Sequence, residues 1–516
     1  MNIVRVIKAV ISILLIFTLV ILVTNLLTYK APVIEKKPFV IGKNQSQINS
    51  HDYKILEALA LNAQLPMFRF RSVNSSPEYI VDPSGFLYVN KNDEFIFYGD
   101  SVEHLVLDDL NAYKTDEKGN VVAISIEGSK FSDTRILNKF KHLIAISLTN
   151  NNIERVDLID LPELRFLSIN ESRVSDTATN ESSFQLTNLP NLTYLKLLGL
   201  NLPNFNTFTG VENVKKIKIA GNNLQNFEGL AKMPKLRSAD ITAVGSHQDS
   251  EAKALFLTGV PEKHKLDSLV LSAVLMTDIS GIENFAYMKL LDLHVYSSEI
   301  ADYTPLSQLK RLQALELHDL GLRNFSFLKS MPELRQIKMQ HVPITSLLGL
   351  GEAPNLERLE LRNGQLDAMT HIDHNIHLKT VILNHHNITK IEGLEGLVQL
   401  NSLDLTANKI SKIDGLEDNL CLERLWLEDN PVDIFENLFH LPLLYSLGIK
   451  NTDIKTFPNY EKAQRLKDLD FVIDALDEKA FDLNYAYWTI PIQGFDEQMR
   501  NVEPITYEER KQYGCI

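Results

Sequence analysis

The chain has 516 residues, 44% hydrophobic and 23% charged, with a formal net charge of −14 at pH 7. That composition excludes a disordered protein, and the acidic balance excludes a nucleic-acid partner, because phosphate binding needs a basic face. Two cysteines, Cys421 and Cys515, are too few for a disulfide framework.

Residues 9–27 carry no charge, and their only polar members are Ser12, Thr18, Thr24 and Asn25. As a helix this stretch spans about 28 Å, close to the hydrocarbon thickness of a bilayer. A cleaved signal peptide is the rival reading. Its best cleavage site, Tyr29-Lys30-Ala31, has a bulky Tyr29 and is followed by Pro32. The expectation is an uncleaved transmembrane anchor over 1–30. Flanking charge is nearly balanced, with Arg5 and Lys8 before the span and Lys30, Lys36 and Lys37 after it. A short stub inside and an exported, periplasmic or extracytoplasmic body is the expected arrangement.

Residues 31–100 read as a spacer and an N-terminal cap. Ser50–Asn62 suits a short helix with Ile55, Leu56 and Leu59 on one face. The runs 68–70, 79–81, 86–89 and 95–97 are β-like and aromatic, and Asp82-Pro83-Ser84-Gly85 offers a turn between two of them. They predict hairpins that cover the open apolar end of the segment beginning at residue 101.

From 101 to 473 the chain repeats itself. Leu378-x-x-Val381-x-Leu383, Leu400-x-x-Leu403-x-Leu405, Leu422-x-x-Leu425-x-Leu427 and Leu444-x-x-Leu447-x-Ile449 stand 22 residues apart. Such a period marks a solenoid whose short strands become stable only when stacked. First positions run from Val102 and Val121 through Leu143, Leu164 and Leu192 to Leu466. Two steps are long: 28 residues from Leu164 to Leu192, and 30 from Leu236 to Leu266, where a helix is expected over 250–257. The surplus must leave through loops, since lengthening a strand by one residue turns its inward set outward. Pro162, Pro190, Pro234, Pro332, Pro354 and Pro442 stand two residues before a first position, and Gly229, Gly281, Gly349, Gly393 and Gly415 stand seven before one. Residues 474–516, rich in aromatics, read as a C-terminal cap.

The motif Leu378-x-x-Val381-x-Leu383-x-x-His386-x-Ile388-x-x-Ile391-x-Gly393-Leu394-x-x-Leu397 resembles the leucine-rich repeats of the short class, found in internalins and in a regulatory subunit of protein phosphatase 1. The resemblance implies an α/β solenoid, a horseshoe with one parallel sheet on its concave side. That family usually places asparagine at the ninth position, which Asn151, Asn222, Asn408 and Asn430 obey, whereas His386 and others do not. Turns in the deviant repeats must find other donors, or water.

Catalytic signatures are absent: there is no glycine-rich phosphate loop, no G-x-S-x-G and no H-E-x-x-H. No enzyme activity, cofactor or metal is therefore expected. His371, His374 and His377, with Asp373, lie close in sequence to His385 and His386, but the lattice puts the two groups on opposite edges of a repeat. They read as solvated surface histidines. Recognition is expected on the concave face, where the fifth and seventh positions project. Its candidate residues are Asp292, His294, Glu316, His318, Lys338, Gln340, Arg358, Glu360, Arg362, Asn384, Trp426 and Glu428. Mixed charge around an outward tryptophan suits a protein partner better than a sugar or a lipid. The functional reading is a membrane-anchored scaffold in the bacterial envelope. The alternatives are a structural spacer and an intracellular regulatory subunit of an enzyme such as a phosphatase.

Overall fold

The computed structural model describes residues 48–63, 71–72, 88–89, 95–96, 112–170, 184–200, 202–221, 224–243, 254–433, 438, 440–453, 468–470 and 505–515. The segment 9–27 lies outside them, as do Val102 and most of the expected C-terminal cap. Among the described residues no helix is long and apolar enough to cross a membrane.

Alternation dictates the strands. In Ala314–His318 and Gln336–Gln340 the leucine, isoleucine and methionine positions are buried while Glu316, His318, Lys338 and Gln340 are half-buried on the other face. These strands join one 18-stranded sheet. From Val121–Glu127 to Asp468–Asp470 each strand lies parallel to its neighbour. The lattice is the ladder: Leu359 faces Val381, Val381 faces Leu403, Leu403 faces Leu425 and Leu425 faces Leu447. The long steps keep register, with Leu167 facing Leu195 and Ile241 facing Leu271. The surplus therefore leaves outside the strands, as side-chain alternation requires.

The expected helix over 250–257 is corrected by its described part. Residues 254–257 are not helical, with Leu255 and Leu257 buried and Phe256 exposed. The amide of Phe256 donates to Gln225 O at 3.0 Å and that of Leu255 to Leu275 O at 3.0 Å. Backbone partners on both neighbouring repeats hold this piece, against its local helical pattern.

From Ala314–His318 to Ser446–Gly448 each strand is followed by a left-handed residue. Asp319, His341, Asn363, His385, Ala407, Asp429 and Asn451, one per 22-residue step, have φ between 54° and 59°, which swings the chain off the sheet. The return side is built of extended chain and short 3₁₀ turns such as Leu230–Lys232, Ile282–Asn284 and Leu350–Glu352. Gly229, Gly281 and Gly349 precede these turns. At Gly349 (φ 91°) a Cβ would sit 2.5 Å from Phe325 O, so only glycine lets successive turns stack this closely.

Between strand and turn runs a side-chain ladder. Asn408 donates from Nδ2 to Leu383 O at 2.7 Å and accepts at Oδ1 from Ile388 N at 3.1 Å. Asn430 repeats this with Leu405 O at 2.8 Å and Ile410 N at 3.0 Å, and Asn151 donates to Ile126 O at 2.9 Å. Every rung reaches back to the preceding repeat.

His386 fills one rung, which corrects its reading as a surface histidine. It is buried, accepts at Nδ1 from Leu366 N (3.1 Å) and lies 3.2 Å by Nε2 from Leu361 O. The imidazole thus supplies one acceptor and one donor, as the asparagine amide does. Burial, above all, pushes its pKa down to about 4, so the ring is neutral. Gly364 makes room for it: a Cβ there would lie 2.3 Å from His386 Cε1. A second ladder on the return side was not foreseen. There buried Asn375 donates to Ala353 O at 2.8 Å and buried Asn419 to Leu394 O at 3.0 Å.

Both ends carry helices. α1, Ser50–Asn62, matches the expected bounds and buries Ile55, Leu56 and Leu59. Its N-cap Asn49 accepts from Asp52 N at 2.8 Å, and Asp52 accepts from Val121 N at 2.7 Å, tying helix to sheet. Ala112–Thr115 runs antiparallel to Val121–Glu127 and parallel to Arg71–Ser72. Of the aromatic hairpins, Tyr88–Val89 pairs antiparallel with Phe95–Ile96, and the runs 68–70 and 79–81 lie outside the described residues. α2, Tyr507–Gln512, opens with a capping box between Thr506 and Glu509. It is brought back to the repeats by a disulfide from Cys515 to Cys421, whose Cα atoms are 5.5 Å apart, and by Arg510 Nε, 3.0 Å from Glu423. The two cysteines make no framework, but they do make one bond.

Candidate binding face

The solvent face of the sheet lines its side chains up across strands. The fifth-position column reads Asp292, Glu316, Lys338, Glu360, Ile382, Asp404, Trp426 and Gly448, each facing the next. The seventh-position column reads His294, His318, Gln340, Arg362 and Asn384.

Three regions lie along this face. In the first, Asp292, His294, Glu316, His318 and Lys338 come together on three adjacent strands, with Gln340 directly across from His318. Lys338 Nζ is 3.2 Å from Glu316 Oε2, and His318 Nε2 is 3.6 Å from Asp292 Oδ1. Burial and then the neighbouring Glu316 carboxylate push Asp292 up to about 7. Burial and then His294 and Lys338 push His318 down to about 4. His294 Nε2 is 2.6 Å from Asp319 Oδ2 and its ring lies 4.3 Å from exposed Tyr296.

The second region is Arg358, Glu360 and Arg362 on the strand Arg358–Arg362. Glu360 is buried between its two arginines, with Arg358 Nη2 at 2.9 Å and Arg362 Nε at 2.6 Å. Burial works to raise its pKa, but the Arg362 and Arg358 contacts outweigh it and hold the carboxyl below its usual range. Both guanidiniums share the one carboxylate, which leaves the triad with a net positive charge. In the third region Asn384 is buried and donates to Asp404 Oδ2 at 3.2 Å, and Glu428 accepts from Thr406 Oγ1 at 3.1 Å. Trp426 is half-buried on the outward face, opposite Gly448.

Residues 376–418 match the family model described as leucine-rich repeats (2 copies). They lie within the 22-residue register that runs from Ala314–His318 to Ser446–Gly448. This stretch carries leucine-rich repeats, and the sheet as a whole has the fold of a leucine-rich-repeat solenoid.

No curated protein sequence matches the chain. In structure the leucine-rich-repeat body is similar to an internalin of Listeria monocytogenes, with 17% identity over 68% of this chain and 87% of that one at a TM-score of 0.44. It is also similar to a leucine-rich-repeat protein of Leptospira interrogans, with 17% identity over 67% and 88% of the two chains at a TM-score of 0.49.

Sequence reading missed several residues of this leucine-rich-repeat face. Asp319, on a left-handed turn, lies 2.6 Å from His294 and 3.5 Å from His341, yet it stands outside the fifth and seventh positions. Tyr296 projects because Ser268–Met276 and Leu290–Ser298 are nine-residue strands that stay paired past the usual turn, with Leu275 facing Ser297. His371, His374 and His377 are exposed on the return side, and His374 pairs with Asp373 at 3.0 Å. Among the described residues the histidines that meet carboxylates on the sheet face are His294, His318 and His341.

Proposed function

We propose that this chain is a binding scaffold rather than an enzyme. Held in the bacterial envelope by residues 9–27, it offers its concave face to a protein partner. The observation that carries the reading is Trp426, a large aromatic only partly buried on the sheet face beside a glycine. It stands three strands from the Arg358, Glu360 and Arg362 triad, about 14 Å at sheet spacing. That distance fits within one interface patch, and tryptophan dominates such patches.

Replacing Trp426 by alanine is expected to weaken partner capture by about 2 kcal/mol while the melting temperature stays put. The measurement is affinity capture from the native envelope with full-length wild type and variant, followed by titration of the captured partner. Loss of melting temperature with binding intact would show Trp426 to be structural and leave the spacer role.

The compartment is supported by the Cys421–Cys515 bond, since disulfides persist where the surroundings oxidise. That disfavours the intracellular regulator. A reporter active only outside the cytoplasm, fused after residue 60, is expected to give signal. Its silence would point back to the cytoplasmic reading.

A further inference from the structure

We propose that Asp292, Glu316 and His318 form a binding site for a divalent transition cation of the zinc type on the sheet face, with one coordination position open to solvent. Such a site needs this cluster alone and does not depend on a protein partner.

The register builds the site. Asp292 faces Glu316 and His294 faces His318 across adjacent parallel strands. A carboxylate and a histidine two residues apart therefore project to the same side from neighbouring strands. One ligand atom from each of Asp292, Glu316 and His318 lies within 4.8 Å of the others, and among the described residues this is the one such group. Donors around a tetrahedral zinc stand roughly 3.4 Å apart. His318 Nε2 and Asp292 Oδ1 are already 3.6 Å apart, so closing the set takes side-chain rotation of about an ångström and no movement of the strands.

Electrostatics favour a cation here. Two carboxylates face each other, and the nearest fixed cation, Lys338, touches Glu316 through Oε2 alone at 3.2 Å. Two like charges held on facing positions repel, and a metal ion between them relieves that repulsion. His318 presents Nε2 to the cluster, 3.6 Å from Asp292 Oδ1, as an imidazole ligand would. One imidazole with two carboxylates is a borderline donor set, suited to zinc-like ions. Calcium, which takes six to eight oxygens, is poorly served. His294 sits 2.6 Å from Asp319 and serves to hold that edge of the site, which leaves the fourth position to water or to an incoming side chain.

The test uses untagged full-length protein in detergent micelles, stripped with a chelator and titrated with zinc chloride by calorimetry. One ion per chain is expected. His318→Ala and the near-isosteric Asp292→Asn each weaken binding tenfold or more, whereas Lys338→Gln tightens it by removing a competing cation. His374→Ala, at the exposed Asp373 pair, serves as the control and leaves binding unchanged. Thermal melts without metal confirm that each variant is folded. No heat from the wild-type protein overturns the proposal. So does binding that survives both His318→Ala and Asp292→Asn, or that disappears with His374→Ala.

Discussion

Cys515→Ser is expected to destabilise the C-terminal end of the solenoid by about 4 kcal/mol. The bond joins residues 94 apart in sequence, and closing a loop of that length restricts the unfolded chain by roughly this amount in the chain-entropy account. The loss falls on the last repeats and on α2. Once the tether is cut, α2 is held to the repeats by Arg510 and Glu423, 3.0 Å apart, and its own packing is slight, with no buried residue in Tyr507–Gln512. Glu423 lies in a costly place, because burial pushes its carboxyl up even against Arg510. Cys515 is the better position to change, since Cys421 is buried and a serine there would hide a hydroxyl as well. Melting the wild type and the variant with and without reductant is the measurement. The two should differ under oxidising conditions and coincide under reducing ones. A difference that persists in reductant would assign the effect to something other than the bond.

His386→Ala should cost about 3 kcal/mol. The change strands Leu366 N–H and Leu361 C=O in the interior, and each unpaired buried group is worth about 1–3 kcal/mol. His386→Asn should lose far less, because asparagine makes the same pair of bonds at Asn408 and Asn430. Gly364→Asn alone should be harmful, since its Cβ meets the imidazole. Combined with His386→Asn it should recover, so a double-mutant cycle would read a large favourable coupling. The pH dependence has a definite sign. His386 has a folded pKa of about 4, below the ordinary value near 6.5. Its contribution is therefore complete above about pH 6.5 and is lost as the pH falls towards 4, up to about 3 kcal/mol. Urea melts between these pH values should show a shallower acid decline in His386→Asn than in the wild type. Equal slopes would mean that the ring is not buried as a neutral base.

The lattice was legible because its cause is local. Strand alternation, the left-handed glycines and the helix Ser50–Asn62 all depend on residues within a few positions of one another, and these features appear at the expected places. The rung at His386 was misread because the rule was framed as an asparagine, whereas the turn asks for a donor and an acceptor at one spacing. Nothing in the spacing of Cys421 and Cys515 marks them as neighbours. That proximity is set by residues 505–515 lying against the repeat of Leu422. On the sheet face the column of projecting residues was readable. Which charges cancel was not, because the outcome turns on rotamers: Glu360 meets both arginines of its own strand, and Asp319 is reached from two histidines.

The rungs also give the solenoid an arrow. Each side chain at Asn151, His386, Asn408 and Asn430 bonds back to the repeat before it, even where Asn408 and Asn430 also reach carbonyls of their own repeat. A repeat that peels away from the C-terminal end therefore bares the turn of the one left behind, and melting started there exposes its own next step. Peeling from the N-terminal end removes only what an asparagine holds and leaves the later turns covered. At the next equivalent position Thr452 bonds within its own repeat, to Ile449 O at 2.9 Å. The covalent staple at Cys421 lies one repeat earlier, near the end from which such an array would unzip.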